Sequence, residues 1–155
     1  MHWLVTLFAS GVYAGFSPIA SGTVGSAVGL AVYYFIPGFE QLTILLPAIV
    51  ATLFLGVKAS AMMERRYGHD PAEVTIDEVV GMWVAVLFLP KNLYVMIAAF
   101  FLFRFFDIIK PYPARKFDNV HGGVGIMMDD VIAGLYTVAT IHLAIMLMHV
   151  VTGME

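Results

Sequence analysis

The sequence predicts an all-α integral membrane bundle of about six short hydrophobic segments. Hydrophobic residues make up 61% of the 155 residues and charged residues 12%, half of the roughly 25% typical of soluble domains. The mean hydropathy is +0.89. The apolar residues form continuous runs rather than the alternating pattern of a membrane β-barrel, so helices are the expected way to satisfy the backbone in lipid.

Six apolar runs are the candidate helices, separated by short segments rich in glycine, proline and charge. They cover residues 2–16, 24–36, 42–57, 79–89, 93–106 and 131–151. Only 131–151 reaches the roughly 20 residues that cross a hydrocarbon core of about 30 Å. The shorter runs are expected to extend into polar ends or to form re-entrant or half-helices. No repeat or linker divides the sequence, so one domain over 1–155 is predicted.

The connecting segments predict which side of the membrane carries the charge. If each run crosses once, residues 17–23, 58–78 and 107–130 share one side. Together with Arg104, that side has seven of the eight basic residues, and only Lys91 lies opposite. The positive-inside rule then makes the charged side cytoplasmic and places both termini outside.

Composition also excludes whole classes of function. A net charge of −3 offers no basic surface for nucleic acid. The absence of cysteine excludes disulfides, thiolate metal sites and a cysteine nucleophile.

The charged residues are concentrated rather than scattered. Fifteen of the nineteen lie in three stretches, 64–78, 104–118 and 129–130. The side assignment places all three beside the loop 17–23, so acids, bases and a Gly/Ser/Thr loop are expected to converge in one polar site.

Two acidic pairs are candidate metal ligands. Asp77 and Glu78 begin one apolar helix, and Asp129 and Asp130 are predicted at the start of the last one. Each pair suits a helix N-terminus, which favours negative charge. Paired carboxylates are also the hard oxygen ligands that Mg²⁺ prefers, and a shared cation would relieve their repulsion.

The stretch 104–118 mixes bases with acids at helical spacing. Arg104, Asp107 and Lys110 recur every three residues before Pro111 disfavours helix continuation, and Arg115 and Asp118 are again three apart. Local surface ion pairs are one interpretation. The other is a site in which carboxylates hold Mg²⁺ while Lys and Arg bind phosphate oxygens.

Three further residues and one histidine are candidate substrate contacts. Backbone N–H groups at the start of the second helix, with hydroxyls in the same loop, suit a phosphate oxygen. A proline-directed turn with a capping residue explains the loop equally well, and it is not a Walker A loop. The residues are Ser17, Thr23, Ser26 and, from the polar loop before the last helix, His121.

Four sequence blocks resemble the phosphatidylglycerophosphatase A family. They occur in the order Ser17-Pro18 to Gly22-Thr23-Val24-Gly25-Ser26, then Asp77-Glu78-Val79-Val80-Gly81-Met82, then Phe103-Arg104-Phe105-Phe106-Asp107-Ile108-Ile109-Lys110-Pro111-Tyr112-Pro113, then Gly122-Gly123-Val124-Gly125-Ile126-Met127-Met128-Asp129-Asp130. The resemblance implies a multi-pass enzyme of the bacterial inner membrane. It would use Mg²⁺ to hydrolyse phosphatidylglycerophosphate to phosphatidylglycerol and inorganic phosphate, with its active site facing the cytoplasm and membrane lipids as its other partners.

Roles within the site follow as hypotheses from that resemblance. Direct attack by water is preferred, with Asp77 or Asp129 as an alternative nucleophile, and Asp118 acts as general acid or orients Arg115. The expected metal ligands are Asp77, Glu78, Asp107, Asp129 and Asp130. The expected substrate contacts are Ser17, Thr23, Ser26, Arg104, Lys110, Arg115 and His121. The expected catalytic residues are Asp77, Glu78, Asp107, Lys110, Arg115, Asp118, Asp129 and Asp130.

Two alternatives remain open at this point. Intramembrane carboxylates also mark ion pathways, so an ion or Mg²⁺ transport protein is the first. The second is another lipid-headgroup phosphatase or transferase, although the paired Asp-Gly signature of CDP-alcohol phosphotransferases is missing. The oligomeric state is not predicted.

Overall fold

The computed structural model describes residues 2–153, which form helices and connecting turns with no strand. This confirms the all-α prediction. A 3₁₀ turn, Ala14–Phe16, follows the first helix. The α-helices within the described range are α1 (His2–Ala9), α2 (Ser21–Phe35), α3 (Leu42–Tyr67), α4 (Ile76–Ala85), α5 (Leu93–Ile109), α6 (Ala114–Phe117) and α7 (Gly123–Thr152).

Helix α4 lies at the centre of the bundle. All of its ten residues except Glu78 are buried, and α2, α3, α5 and α7 pack around it. The Trp83 indole Nε1 donates a hydrogen bond of 2.9 Å to the Gly29 carbonyl and ties α4 to α2. The Thr75 amide, just before α4, donates to the Ala9 carbonyl at 2.9 Å. Helix α4 is therefore tied to its neighbours near both of its ends.

Helices α4 and α7 meet backbone to backbone. A Cβ built on Gly134 would lie 2.4 Å from the Gly81 carbonyl oxygen, and one built on Gly81 would lie 2.8 Å from the Asp130 carbonyl oxygen. Neither position has room for a side chain. This close approach brings the acidic first turn of α4 beside the acidic pair of α7.

Two described helices, α3 and α7, are long and apolar enough to cross a membrane. Their 26 and 30 residues correspond to about 39 Å and 45 Å at 1.5 Å per residue. Most of their apolar residues face outward, since only 22% of each apolar window is buried. The expectation of a single run of spanning length is wrong, because the run at 42–57 continues as helix through its charged end to Tyr67.

Two of the predicted segments form helices that reach no more than half of the way across a membrane. The run 2–16 is not one helix, because α1 ends at Ala9 and the left-handed residues Gly11, Val12 and Tyr13 turn the chain. The eight residues of α1 and the ten of α4 extend only about 12 Å and 15 Å. The count in which every run crosses once is therefore unsupported for α1 and α4. The side assignment stays a prediction.

Helix α7 begins earlier than predicted, at Gly123. Asp129 and Asp130 consequently lie two turns inside the helix and not at its start. Amide groups at that depth already bond within the helix, and the dipole effect is confined to the first turn. Helix capping therefore does not explain this acidic pair, although it still applies to Asp77 and Glu78 in the first turn of α4.

Candidate active site

A polar cavity of about 350 Å³ lies beside the first turn of α4. Its volume is in the range of small-molecule sites, roughly 300–1,000 Å³. All three charged stretches of the sequence and the first turn of α2 contribute to it, so the predicted convergence is confirmed. The lining residues are Ala20, Ser21, Gly22, Asp70, Pro71, Ala72, Val74, Asp77, Glu78, Arg104, Asp107, Lys110, Asp129 and Asp130.

Acidic side chains outnumber basic ones in this cavity by six to two. The bases are Arg104 and Lys110, and the acids are Asp70, Asp77, Glu78, Asp107, Asp129 and Asp130. Bringing unbalanced charge out of water costs several kcal/mol per ion unless a partner compensates it. The cavity therefore requires protons or cations to balance its carboxylates.

Each base of the cavity pairs with two acids. The Arg104 Nη1 lies 2.5 Å from Asp107 Oδ2, as the i, i+3 spacing predicts, and 4.0 Å from Glu78 Oε1. The Lys110 Nζ donates to Asp129 Oδ2 at 2.7 Å and also contacts Asp118 Oδ1. Lys110 reaches them because it ends α5 in a left-handed conformation, φ 48°. Asp107 and Asp129 are thus partly neutralised.

Of Asp77, Glu78 and Asp130, only Glu78 has a basic partner among the described residues, the Arg104 Nη1 at 4.0 Å. Asp77, Glu78 and Asp130 each offer a carboxylate oxygen, and these oxygens lie within 4.8 Å of one another. Asp77 Oδ1, Glu78 Oε2 and Asp130 Oδ2 are buried without a hydrogen-bond partner, as is Asp129 Oδ1. Buried polar atoms are normally satisfied, so unsatisfied ones require an explanation such as an ion. Hard oxygen donors in this arrangement fit Mg²⁺.

The pKa values of Asp77 and Glu78, the two acids in the first turn of α4, reflect the excess of acids over bases in the cavity. Burial, together with the charge of Glu78, raises the pKa of Asp77 well above its usual range. Burial also raises the pKa of Glu78 to about 7, although its contacts with Asp77 and Arg104 act in the opposite direction. Burial alone would lower the pKa of Lys110, but its hydrogen bonds to Asp118 and Asp129 outweigh burial and raise it. Lys110 is therefore a permanent cation at the edge of the cluster.

Helix α2 contributes its first turn to the cavity. A Cβ on Gly22 would lie 2.3 Å from Glu78 Oε1, so backbone and carboxylate are in contact there. Ser26 is buried, donates to the Gly22 carbonyl at 2.8 Å and accepts from Arg104 Nη1 at 3.4 Å. Ser26 is thus a positioning contact of Arg104.

The two other predicted residues of this loop lie outside the cavity lining. The Ser17 hydroxyl donates to the Ile19 carbonyl at 2.9 Å and shapes the turn. Thr23 is partly buried within α2. The structure therefore does not place Ser17 or Thr23 among the side chains that line the cavity with the carboxylates.

Three predicted residues after α5 differ from expectation. Arg115 is exposed and outside the cavity lining. Asp118 pairs with Lys110 rather than with Arg115, so the predicted orienting role of Asp118 toward Arg115 is wrong. The His121 side chain is 80% exposed and its Nδ1 lies 3.5 Å from Glu64 Oε1.

Asp70 is a cavity residue that the sequence patterns did not single out. It follows the end of α3 in a left-handed conformation, φ 45°, which Asp tolerates better than most residues. The sequence counted it within the charged stretch 64–78, but it has neither an acidic neighbour nor an adjoining apolar run to mark it.

A second polar cluster, formed by Glu64, His69 and His121, lies near the cavity without lining it. The His69 Nδ1 is 2.9 Å from Glu64 Oε1, and its Nε2 is 2.9 Å from the Asp118 carbonyl oxygen. The Gly122 amide donates to Glu64 Oε2 at 2.7 Å. This cluster fastens the segments that carry Asp70 and Asp118 to the end of α3.

Comparison with known proteins identifies relatives along nearly the whole chain. The family model Phosphatidylglycerophosphatase A matches residues 7–145. An Escherichia coli protein named phosphatidylglycerophosphatase A is 38% identical over 139 residues, covering 88% of this chain and 80% of the relative. A Haemophilus influenzae protein of the same name is 35% identical over 140 residues, covering 88% and 86%.

A further relative has a different name. A Bacteroides thetaiotaomicron protein, provisionally named a phosphatidylinositol-3-phosphatase, is 42% identical over 149 residues and covers 92% of this chain and 94% of its own. No solved structure matches the chain.

Proposed function

The chain belongs to the phosphatidylglycerophosphatase A family, whose named members are phosphatases, and we propose that it is an Mg²⁺-dependent phosphatidylglycerophosphatase. The reaction would release phosphatidylglycerol and inorganic phosphate from phosphatidylglycerophosphate, as a step of phospholipid biosynthesis. One observation carries the metal dependence: Asp77, Glu78 and Asp130 each offer a carboxylate oxygen within 4.8 Å of the others, and each has a buried oxygen without a hydrogen-bond partner.

These three residues would hold the metal, with Asp107 and Asp129 beside them. They supply only hard oxygen donors, which is the chemistry Mg²⁺ requires. When bound, Mg²⁺ would neutralise phosphate charge and lower the pKa of a coordinated water.

The bases of the cavity would bind the phosphoryl group. Arg104 lines the cavity, and Asp107 and Ser26 hold its Nη1, so its guanidinium is a fixed cation for a phosphate oxygen. Lys110, held by Asp118 and Asp129, adds a second cation. Donors held in place before the reaction stabilise charge on the transferring group most effectively.

Hydrolysis then exchanges one P–O bond for another. A water oxygen forms the new bond to phosphorus while the bond to the headgroup oxygen breaks, and the departing oxygen takes up a proton to become the phosphatidylglycerol hydroxyl. Direct attack by water is favoured because the carboxylates of the cavity would be bound to Mg²⁺ or paired with Arg104 and Lys110, which leaves them less nucleophilic. Asp129, bonded to Lys110 at 2.7 Å, is a poor nucleophile in that arrangement.

The enzyme is proposed to reside in the bacterial inner membrane with the cavity facing the cytoplasm. Helices α3 and α7 have the length and hydropathy to span it, and the relatives described above come from bacteria. The concentration of basic residues on the cavity side supports the orientation.

The Bacteroides relative raises a second substrate, phosphatidylinositol 3-phosphate. Both lipids carry a phosphate monoester on a polyhydroxy headgroup, so the same carboxylates and bases would act on either. Relative kcat/KM for the two lipids under identical conditions decides between them.

The test is phosphate release by the purified protein from each lipid, with Mg²⁺ and with EDTA. We expect release from phosphatidylglycerophosphate only with Mg²⁺, and a loss of activity in Asp107→Asn and Asp130→Asn. Full activity in EDTA or in both variants would refute the metal site. Mg²⁺ flux into liposomes without phosphate release would favour a transport protein instead.

A further inference from the structure

An apolar groove separates the outward faces of α2 and α5. Its volume is about 400 Å³, and every side chain lining it is apolar or aromatic. The buried Met96 and the partly buried Leu30 and Phe100 form its floor. Exposed aromatic residues, among them Tyr34 and Phe101, form its rims.

One end of the groove lies close to the carboxylate cavity, because α2 and α5 contribute residues to both. On α2, Ala27 of the groove follows Ser26, whose hydroxyl contacts Arg104. On α5, Phe101 of the groove precedes Arg104 by three residues, a rise of about 4.5 Å. From this end the groove follows α2 for eight residues to Phe35, a further 12 Å or so.

We propose that this groove binds one acyl chain of the glycerophospholipid whose phosphorylated headgroup occupies the cavity. The inference rests on the proposed function and extends it to the lipid tail. A headgroup held at Arg104 leaves its glycerol backbone at the Ala27 and Phe101 end, so the chain continues directly along the apolar floor.

The dimensions favour an acyl chain over a helix from a second copy of the protein. A helix about 10 Å across would fill roughly twice the available volume along 12 Å. A single hydrocarbon chain is narrower and flexible. The small side chains of Ala27 and Ala31 along one wall leave room for it.

The test fills the groove from one wall and compares two substrates. In Ala31→Trp an indole would project from an exposed position of α2 that lines the groove, and Ala98→Trp is the matched control, exposed on α5 but outside the lining. Each variant is assayed with long-chain phosphatidylglycerophosphate in detergent micelles and with its water-soluble deacylated headgroup. Circular dichroism and thermal melting verify folding.

We expect Ala31→Trp to raise KM for the long-chain lipid about tenfold, a difference of about 1.4 kcal/mol, because the indole would occupy the space of the acyl chain. Its kcat/KM for the deacylated headgroup should match the wild type, and Ala98→Trp should change neither substrate. Equal kinetics for both variants on the lipid would overturn the groove proposal while leaving the phosphatase intact. Failure of the wild type to hydrolyse either substrate would instead overturn the proposed function.

Discussion

Two clusters of potential metal-binding side chains differ in whether their polar atoms have hydrogen-bond partners. In the Glu64–His69–His121 cluster both carboxylate oxygens of Glu64 have partners, and the two nitrogens of His69 face Glu64 and the Asp118 carbonyl. In the cavity, Asp77, Glu78 and Asp130 leave buried oxygens without partners. The two histidines of the first cluster are exposed, whereas the two aspartates of the second are buried.

This difference in hydrogen bonding indicates a structural role for the Glu64–His69–His121 cluster and a chemical role for Asp77, Glu78 and Asp130. Groups that satisfy one another hold segments together, and their net contribution to stability is modest in exposed positions. Buried groups that remain unsatisfied cost stability, and a protein retains them where they bind something. Substitutions should therefore have opposite effects in the two clusters.

The largest effect is expected from Asp130→Asn. Loss of one of the three converging carboxylates should lower phosphate release at least about 100-fold. In EDTA the variant should melt at the same or a higher temperature than the wild type, because one uncompensated buried charge is gone. Thermal melting with and without Mg²⁺ measures both effects. A clear loss of stability in EDTA would contradict the unsatisfied state of Asp130.

Lys110→Met and Arg115→Met form the next pair. Lys110 lines the cavity and neutralises Asp129, whereas Arg115 lies outside it. We expect kcat/KM to fall about 100-fold or more in the first variant and to stay within about twofold in the second. Equal losses of kcat/KM in the two variants would show that Arg115 acts in the active site, as its position in the sequence suggested.

His69→Gln tests the satisfied cluster. The hydrogen bond that His69 donates to the Glu64 carboxylate raises the pKa of His69 above its ordinary value, and His121, Asp70 and the Asp118 carbonyl also lie around it. A raised folded pKa means that protonated His69 stabilises the folded state at low pH, and that this stabilisation is lost as pH rises through the folded pKa.

The wild-type melting temperature should consequently fall more between pH 6 and pH 9 than that of His69→Gln. Phosphate release should fall less than about tenfold in the variant, because the cluster does not line the cavity. Parallel pH profiles for the two proteins would show that the cluster carries no such charge.

The smallest effect is expected at the opposite end of the bundle. Lys91 Nζ lies 2.8 Å from Glu40 Oε2, and both side chains are partly exposed. Lys91→Met should change the melting temperature by no more than about 2 °C and leave activity intact. An activity loss there would mean that charge far from the cavity matters to the reaction.

The apolar runs predicted which segments are helical, because a backbone in lipid has few other structures available. They did not predict helix ends. Glu64, Arg65 and Arg66 look like a loop but continue α3, and the glycines around Gly123 look like a turn but begin α7. At the end of α3 and at the start of α7, contacts with other helices determine where the helix ends or begins. Hydropathy along the sequence contains no information about those contacts.

The same limit applies to the site. Asp77 and Glu78 were placed correctly in a first turn because local sequence sets helix starts. Arg115 was expected in the site from its spacing to Asp118, yet Lys110 takes that partner because α5 ends in a left-handed turn. Asp70 was missed, since only tertiary packing brings it to the cavity.

Calorimetric titration of the purified protein with Mg²⁺ tests the central claim most directly. If Asp77, Glu78 and Asp130 form the metal site, the wild type binds Mg²⁺ and Asp130→Asn binds it at least about tenfold more weakly, while Asp118→Asn is nearly unchanged. Indistinguishable Mg²⁺ affinity in the wild type and Asp130→Asn would contradict the account.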